Sequence, residues 1–323
     1  MSQEPTSGPR IRLGISACLL GKAVRYDDGH KRDRFLRDTV GRFVEWVPIC
    51  PEVECGLPVP REPMHIVGSG SRIQLITEHT REDHTNRLTS WANGKLEEPD
   101  SQTLCGYVLK SRSPSCGTIG VRISRLAGDS TTKSGAGIFA RILMKRFPFM
   151  PVENDERFHD PERRESFITR ALVWKRWLDF LDSGQDFEKL TAFHAKHELL
   201  ILAHSPNRLR VLGNLAASTD QRSFNSVQTS YIALLMNTLK RIATRSRQVN
   251  ALRHAAGYIK KRLGMAERTE LIEAIERYRV GYVPLTVPVE LIQRHARHLG
   301  EPHLMKQVYL NTGPVEQMLR DHI

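Results

Sequence analysis

No apolar run in this chain approaches the roughly 18 residues that a membrane-spanning helix needs. Cysteine is sparse and odd in number, five in 323 residues, with no disulfide-rich pattern. In a reducing compartment such cysteines serve as ligands, nucleophiles or core filler. The run Cys-x3-Cys-x2-Cys is absent, which disfavours a radical enzyme. There is no internal repeat and no low-complexity tract. The segment 1–10, MSQEPTSGPR, lacks the apolar core of a signal peptide and reads as a disordered tail. A cytoplasmic protein without membrane contact is the expectation.

Acidic residues are the other scarcity, and it is local. Between Ile201 and Arg262 the chain carries one acid, Asp220, against eleven bases: Arg208, Arg210, Arg222, Lys240, Arg241, Arg245, Arg247, Arg253, Lys260, Lys261 and Arg262. The chain as a whole has a formal net charge of +12. Its hydrophobic fraction of 40% and charged fraction of 26% are those of a globular protein. A basic stretch of this kind is the electrostatic footprint of a phosphate-backbone partner, and these eleven residues are the candidate RNA-binding set. A solvated basic helix face is the plain alternative.

Taken in order, the chain changes character near residue 155. Before it, apolar strands alternate with helical spacing. Ile11–Ala17 and Val44–Ile49 read as strands, Phe35–Phe43 as a short helix, and Ile66–Val67 with Ile73–Thr77 as a small hairpin or a strand with a bulge. His79–Glu98 follows as a helix, Cys105–Leu109 as a strand and Gly135–Phe147 as a helix. This predicts an α/β domain over 11–155 with a largely parallel sheet. After residue 155 only helices are predicted: Pro161–Asp182, Phe187–His204, Pro206–Ala217, Phe224–Leu263, Ala266–Val280 and Val287–Leu299. Residues 156–323 are therefore expected to form an all-α domain. His194, His197 and His204 sit among Leu199, Leu200, Ile201 and Leu202, so a packed helix accounts for them better than a metal site.

Three cysteines share one setting. Cys18, Cys50 and Cys116 each follow an apolar strand and open a loop with Gly or Pro nearby. Parallel strands end on one edge of a sheet, so three thiols from three loops can converge there. Soft thiolates select zinc, copper(I) or an iron–sulfur cluster. A structural zinc wants four protein ligands, with Cys55 or Cys105 to complete the set. Three thiolates on a 4Fe-4S cluster leave one iron free for an outside ligand. The residues alone leave three readings open: cluster, zinc, or unrelated core cysteines. Glu52 and Ser113 flank these thiols. A glutamate there can act as general base for water, and a serine can hold substrate or relay a proton. An exposed loop acid and a turn serine bonded to its own backbone are the plain readings.

The segments ISACLLG with VRYDDG, CPE with GLPVPR, and KSRSPSCG resemble the three signature segments of the TudS-type thiouracil desulfidase family. Residues 191–310, with AFHAKHELLILAHSPNRLRVLGNLAA and GYIKKRL, resemble the YbgA-like helical domain often fused to it. Together these cover most of the chain. The resemblance implies that Cys18, Cys50 and Cys116 hold a 4Fe-4S cluster with one iron not ligated by protein. It implies Glu52 and Ser113 as the catalytic pair. Cys55 stands where the family tends to carry glycine, and YDDGH departs from the usual YDGG; neither touches the implied ligands.

The two-domain combination is similar to desulfidases of transfer RNA. It implies removal of sulfur from 4-thiouridine in tRNA, giving uridine and hydrogen sulfide, with water as oxygen source and no redox change. Thiolated tRNA is the implied partner, bound through the helical domain. Two alternatives stand beside it: a desulfidase of free thiouracil or thiouridine, and a non-enzymatic RNA-binding protein with a structural zinc.

Overall fold

Strand β1, Ile11–Ser16, is the centre of the first sheet. The computed structural model describes residues 10–69, 72–124, 133–184, 186–217 and 224–311; the expected tail lies almost wholly outside them. Strand β1 pairs in parallel with β2, Val44–Ile49, from Ile11 opposite Val44 to Ser16 opposite Ile49. On its other side it pairs in parallel with β5, Tyr107–Leu109, and β5 pairs in parallel with β8, Val152–Asn154. The sheet order is β2-β1-β5-β8.

Both faces of this sheet are covered, which is why its strands read as nearly continuous apolar runs. Ile11, Leu13, Ile15 and Val108 pack on one side with Leu36, Val40 and Phe43. Tyr107 and Leu109 pack on the other with helix α2, Thr85–Glu97, and helix α4, Ile138–Arg146, through Ala92, Leu96, Phe139, Ala140 and Leu143. A second, mixed sheet has the order β4-β3-β6-β7, built from Met64–Ser69 (β3), Arg72–Thr77 (β4), Val121–Ser124 (β6) and Lys133–Gly135 (β7). The hairpin is as expected from the sequence. Strands β6, β7 and β8 were not expected: each has three or four residues, and LysSerGly carries no apolar periodicity at all. Short helices complete this part: α1, Pro51–Glu54, α3, Pro99–Gln102, and α5, Asp155–Phe158.

The remaining helices are α6, Pro161–Asp182, α7, Phe187–His204, α8, Pro206–Ala216, α9, Phe224–Leu239, α10, Arg245–Ile259, α11, Met265–Val280, α12, Thr286–His298, and α13, Pro302–Met305. The fold class is thus α/β followed by all-α. The expected single helix over 224–263 is two, because Thr244 caps α10 by accepting the Arg247 backbone N–H at 3.4 Å. Helix α7 is fastened by a buried glutamine. Gln307 Oε1 accepts the Leu199 N–H at 3.0 Å while its Nε2 donates to the Ala195 carbonyl at 2.7 Å, so one amide serves both partners of a helical step. The three histidines of this region have separate packing contacts. His197 stacks on Phe193 at 4.1 Å, His194 meets the Tyr231 hydroxyl at 3.1 Å, and His204 Nδ1 bonds the Arg241 carbonyl at 2.6 Å. No helix of the described residues is long and apolar enough to cross a membrane.

Two compact units divide between Leu178 and Asp179, so the first of them takes in most of α6. The reason lies in α6, whose first half carries Phe167, Ile168, Ala171 and Leu172 into the core behind β1. Phe158 and Phe167 meet there edge to face at 5.4 Å. Helical spacing reports that a segment is a helix, not which core it completes. Phe167→Ala should accordingly destabilise the α/β unit by about 3–5 kcal/mol. An unchanged urea midpoint for that unit would show that α6 is not part of its core.

Candidate metal centre

The parallel register sets the ends of β1, β2 and β5 side by side, and each runs straight into a cysteine-bearing loop. Cys18 lies on a 3-10 turn, Ala17–Leu20, directly after β1. Cys50 follows β2 and precedes Pro51, the first residue of α1, where the missing N–H of proline costs nothing. Cys116 lies on the loop after β5. Cys18 and Cys116 are buried and Cys50 is half-buried. All three line one cavity of about 580 Å³, together with Glu52 and Ser113. That is the size range of a small-ligand or cofactor site.

The loop that carries Cys116 is held by the start of α4. A helix leaves its first N–H groups without intrahelical partners. Here Gly137, Ile138 and Ala140 donate theirs to the carbonyls of Gly117 (2.7 Å), Pro114 (3.0 Å) and Ser115 (3.2 Å). The approach is close enough to require glycine twice. A Cβ on Gly137 would lie 2.5 Å from the Ser115 carbonyl oxygen, and one on Gly117 would lie 2.5 Å from Val121 Cγ2. Ser113 Oγ accepts the backbone N–H groups of Ser115 at 3.2 Å and Cys116 at 3.1 Å. Its role as a turn residue is therefore real, and its own hydroxyl proton is left over to donate into the cavity.

Glu52 is not a loose loop acid. Arg61 donates to Glu52 Oε2 through both Nε, at 2.9 Å, and Nη2, and Ser115 Oγ donates to Glu52 Oε1 at 2.7 Å. The Glu52 and Arg61 side chains are only 14% and 6% exposed. A carboxylate offers about four acceptor positions. Three are occupied, so one remains, on Oε1. Arg61 is itself held by the carbonyls of Val24 (3.0 Å) and Pro58 (3.2 Å).

A second ion pair underlies the Cys116 loop. Lys110 Nζ donates to Asp155 Oδ2 and to Ser111 Oγ, both at 2.7 Å, and the Ser111 N–H donates to Asp155 Oδ1 at 2.6 Å. Asp155 follows β8, the fourth strand ending on this edge. Ser16 accepts the Lys110 N–H at 2.9 Å and is hydrogen-bonded with the Cys116 thiol. Sequence reasoning did not single out Arg61, Ser115, Lys110, Asp155 or Ser16. Arg61 and Ser115 stand inside the segments GLPVPR and KSRSPSCG, but no spacing rule pairs them with Glu52.

Burial dominates the electrostatics of the thiols. It pushes Cys18 up to about 11, with the neighbouring Cys50 adding to the rise and Lys110 and Arg25 opposing it. Burial raises Cys50 as well, and Cys116 to well above the ordinary thiol range, where Cys50, Cys18 and Glu52 add to the effect. The three sulfurs thus feel one another. Among the described residues, no three His, Cys, Asp or Glu side chains stand close enough to share a single metal ion. The donor set is soft, threefold and enclosed, which fits an iron–sulfur cluster.

The other two cysteines are directed elsewhere. Cys55 Sγ donates to the Glu52 carbonyl at 3.2 Å and packs against the core of the second sheet. Cys105 is fully buried behind β1, just before β5.

Ten of the eleven candidate RNA-binding residues are described; Arg222 lies outside the described residues. Arg208 and Arg210 lie on α8, Lys240 and Arg241 after α9, Arg245, Arg247 and Arg253 on α10, and Lys260, Lys261 and Arg262 after α10. All ten are exposed except Arg247, which is half-buried. Arg253 pairs with Glu276 at 3.6 Å, Arg262 with Glu301 at 3.3 Å, and Arg245 covers the Tyr278 ring at 5.5 Å. Exposed pairs of this kind contribute little and exchange readily.

In the metal-free protein, a folded-state thiol raised from 9.0 to about 11 holds its proton when the unfolded chain has lost it. Its contribution to stability is complete below about pH 9 and is lost as pH rises towards 11. The urea midpoint of the metal-free protein should fall across that interval, and less steeply in Cys18→Ala. An equal slope in both would contradict the burial of Cys18.

Residues 13–155 match the family 2-thiouracil desulfurase, and residues 198–314 match DUF1722, a family of unknown function. The uncharacterized protein YbgA of Escherichia coli is 28% identical over 162 residues, 50% of this chain and 93% of YbgA. The uncharacterized protein YbbK of Bacillus subtilis is 30% identical over 134 residues, 40% of this chain and 87% of YbbK. A solved structure titled a [4Fe-4S]-dependent thiouracil desulfidase, TudS, is 29% identical and covers 47% of this chain and 95% of its own, with a TM-score of 0.37. The chain belongs to the 2-thiouracil desulfurase family and carries a DUF1722 region after its desulfurase part.

Proposed function

We propose that this protein is a 4Fe-4S-dependent desulfidase that removes sulfur from a thiolated pyrimidine, 4-thiouridine in tRNA. The observation that carries the reading is the meeting of Cys18, Cys50 and Cys116 on one cavity with Glu52 and Ser113. Membership of the 2-thiouracil desulfurase family supports it.

The three cysteines would hold the cluster as thiolates. A cluster bound by three thiolates supplies one iron without a protein ligand, a soft acid that draws electron density from a thiocarbonyl sulfur. Glu52 is the general base. Its remaining acceptor position, on Oε1, takes a proton from the water that attacks the thiocarbonyl carbon. Arg61 and Ser115 fix the direction of that oxygen. Ser113, whose oxygen already accepts two backbone N–H groups, donates a hydrogen bond from its hydroxyl to the pyrimidine ring and keeps its proton. Carbon gains the oxygen of water, sulfur leaves as sulfide, and the two protons of water leave with it. No electrons are exchanged with an outside donor.

The basic surface of the helical unit is the part a free base has no use for. RNA is held largely through phosphates and shape. Removing a base from its stack costs a few kcal/mol, which such contacts offset. A second reading, desulfurisation of free thiouracil, has one observation in its favour: every residue lining the cavity lies between Ser16 and Glu156. Anaerobic assay of the reconstituted protein on thiolated tRNA and on free thiouracil, followed by nucleoside analysis, decides between them. One zinc in place of about four irons and labile sulfide would replace both with a structural-zinc reading.

Two substitutions separate the roles. Cys116→Ala should abolish both the brown cluster absorbance and turnover. Glu52→Gln should keep the absorbance and lower the rate by about 10²- to 10⁴-fold. Gln is the cleaner replacement, because Glu52→Ala leaves the Arg61 charge unpaired in a buried setting at a cost of about 3–5 kcal/mol. A Glu52→Gln protein with full rate would remove the base from this scheme.

A further inference from the structure

Five cations line the cavity: Arg25, Lys31, Arg61, Lys110 and Arg112. Four of them are engaged or turned to solvent. Arg61 donates to Glu52 and to the carbonyls of Val24 and Pro58. Arg25 is held by both oxygens of Asp27, at 3.0 and 3.2 Å. Lys31 and Arg112 are exposed. Lys110 differs, because its side chain is only 18% exposed and its ammonium group is not fully used.

The position of Lys110 is fixed from both ends. It stands one residue beyond β5, and its backbone N–H donates at 2.9 Å to Ser16, the last residue of β1 and two residues before Cys18. An ammonium group has three N–H donors. One goes to Asp155 Oδ2 and one to Ser111 Oγ, both at 2.7 Å. The third is left for the cavity that Lys110 lines. Asp155 is outside that lining, 10% exposed, and its other oxygen accepts the Ser111 N–H at 2.6 Å. An acid behind the wall thus holds a cation whose remaining donor serves the interior. The charge of Lys110 is felt at the thiols, since it opposes the rise that burial imposes on Cys18.

Desulfurisation creates a charge that the roles of Glu52 and Ser113 do not meet. Glu52 serves the attacking water and Ser113 the pyrimidine ring. The thiocarbonyl sulfur is neutral when it enters and anionic when it leaves. A fixed donor aimed at developing charge in an enclosed site favours the bond-breaking step over the bound substrate.

We infer that Lys110 is a further catalytic residue, the hydrogen-bond donor to the departing sulfur anion, and that Asp155 is the residue that positions it. The inference deepens the desulfidase reading and rests on it. The bond that breaks is C–S, its electron pair goes to sulfur, and the proton that sulfur gains is one of the two from water. Lys110 keeps its own protons throughout. Asp155 also moderates the hold. Paired with it, Lys110 brings a donor but no net charge to the cavity, so hydrosulfide is stabilised and still released.

The test titrates sodium hydrosulfide anaerobically into the full-length, cluster-loaded protein without substrate and follows the cluster absorbance. Lys110→Met should weaken hydrosulfide binding by about tenfold or more, the size of a hydrogen bond to a charged group. Asp155→Asn keeps an oxygen for the Ser111 N–H but removes the compensating charge, so binding should tighten severalfold. A pair that merely supports the Cys116 loop is broken by both substitutions, and both would then shift affinity in the same direction. Shifts of one sign, or none, would overturn the proposal. Should Lys110→Met fail to fold, Asp155→Asn decides alone, because weaker or unchanged binding contradicts the role given to Lys110. Turnover is read separately. If the loaded protein desulfurises no thiolated pyrimidine, the proposed reaction falls, while opposed shifts in hydrosulfide affinity still support a sulfur-anion site at Lys110. A protein that takes up no iron removes both.

Discussion

Parallel pairing of β1 with both β2 and β5 is the constraint on which the site depends. Parallel strands must all finish on the same edge, and the connections between them must cross over through other elements. Cys18, Cys50 and Cys116 are separated by 32 and 66 residues in sequence, yet each stands a few residues beyond a strand that ends on that edge. An antiparallel arrangement of the same strands would send one loop to the opposite edge and break the set. The apolar packing of Ile11, Leu13 and Ile15 on one face, and of Tyr107 and Leu109 on the other, is therefore also what holds three sulfurs around one cavity.

Around that cavity the polar groups are arranged in pairs. Glu52 is matched by Arg61, and Lys110 by Asp155, each pair with hydroxyl or backbone partners on the remaining positions. A buried charge without a partner is far costlier than a buried pair. The pairs are therefore a condition for placing a carboxylate near three thiols at all. They also fix direction. Glu52 keeps one acceptor position, on the oxygen that Ser115 already orients, and Ser113 keeps one proton. The same loop that presents Cys116 carries Ser113 and Ser115, and it is capped onto α4 by three backbone hydrogen bonds. Thiol, carboxylate and hydroxyl are thus parts of one rigid assembly.

Much of this was legible in the sequence. The strands ending in Cys18, Cys50 and Cys116 show as apolar runs, and the idea that their loops share an edge follows from the α/β alternation. The helical half shows through its spacing. What stayed hidden has a common cause. LysSerGly and ValGluAsn are too short to carry a period, so β7 and β8 had no signal, and with β8 went the position of Asp155. The pairing of Glu52 with Arg61 and Ser115 joins residues 9 and 63 apart, and no local pattern encodes it. Nor does the sequence say which core α6 completes, because amphipathic spacing is the same whichever core a helix serves. Phe167 and Ile168 complete the first unit although they lie within the helical part of the chain.

The number of thiols at the cavity is a result of geometry, not of supply. A fourth cysteine, Cys55, stands only five residues after Cys50, close enough in sequence to join the set. The single turn of α1 prevents it. Glu52 lies in the first turn of α1, while Cys55 caps the other end with its sulfur bonded back to the Glu52 carbonyl and its contacts in the second sheet. Cys105 is one residue from β5 but before it rather than after it, and so lies at the wrong end of the strand. Position relative to strand direction thus divides five chemically equal residues into three that line the cavity and two that do not.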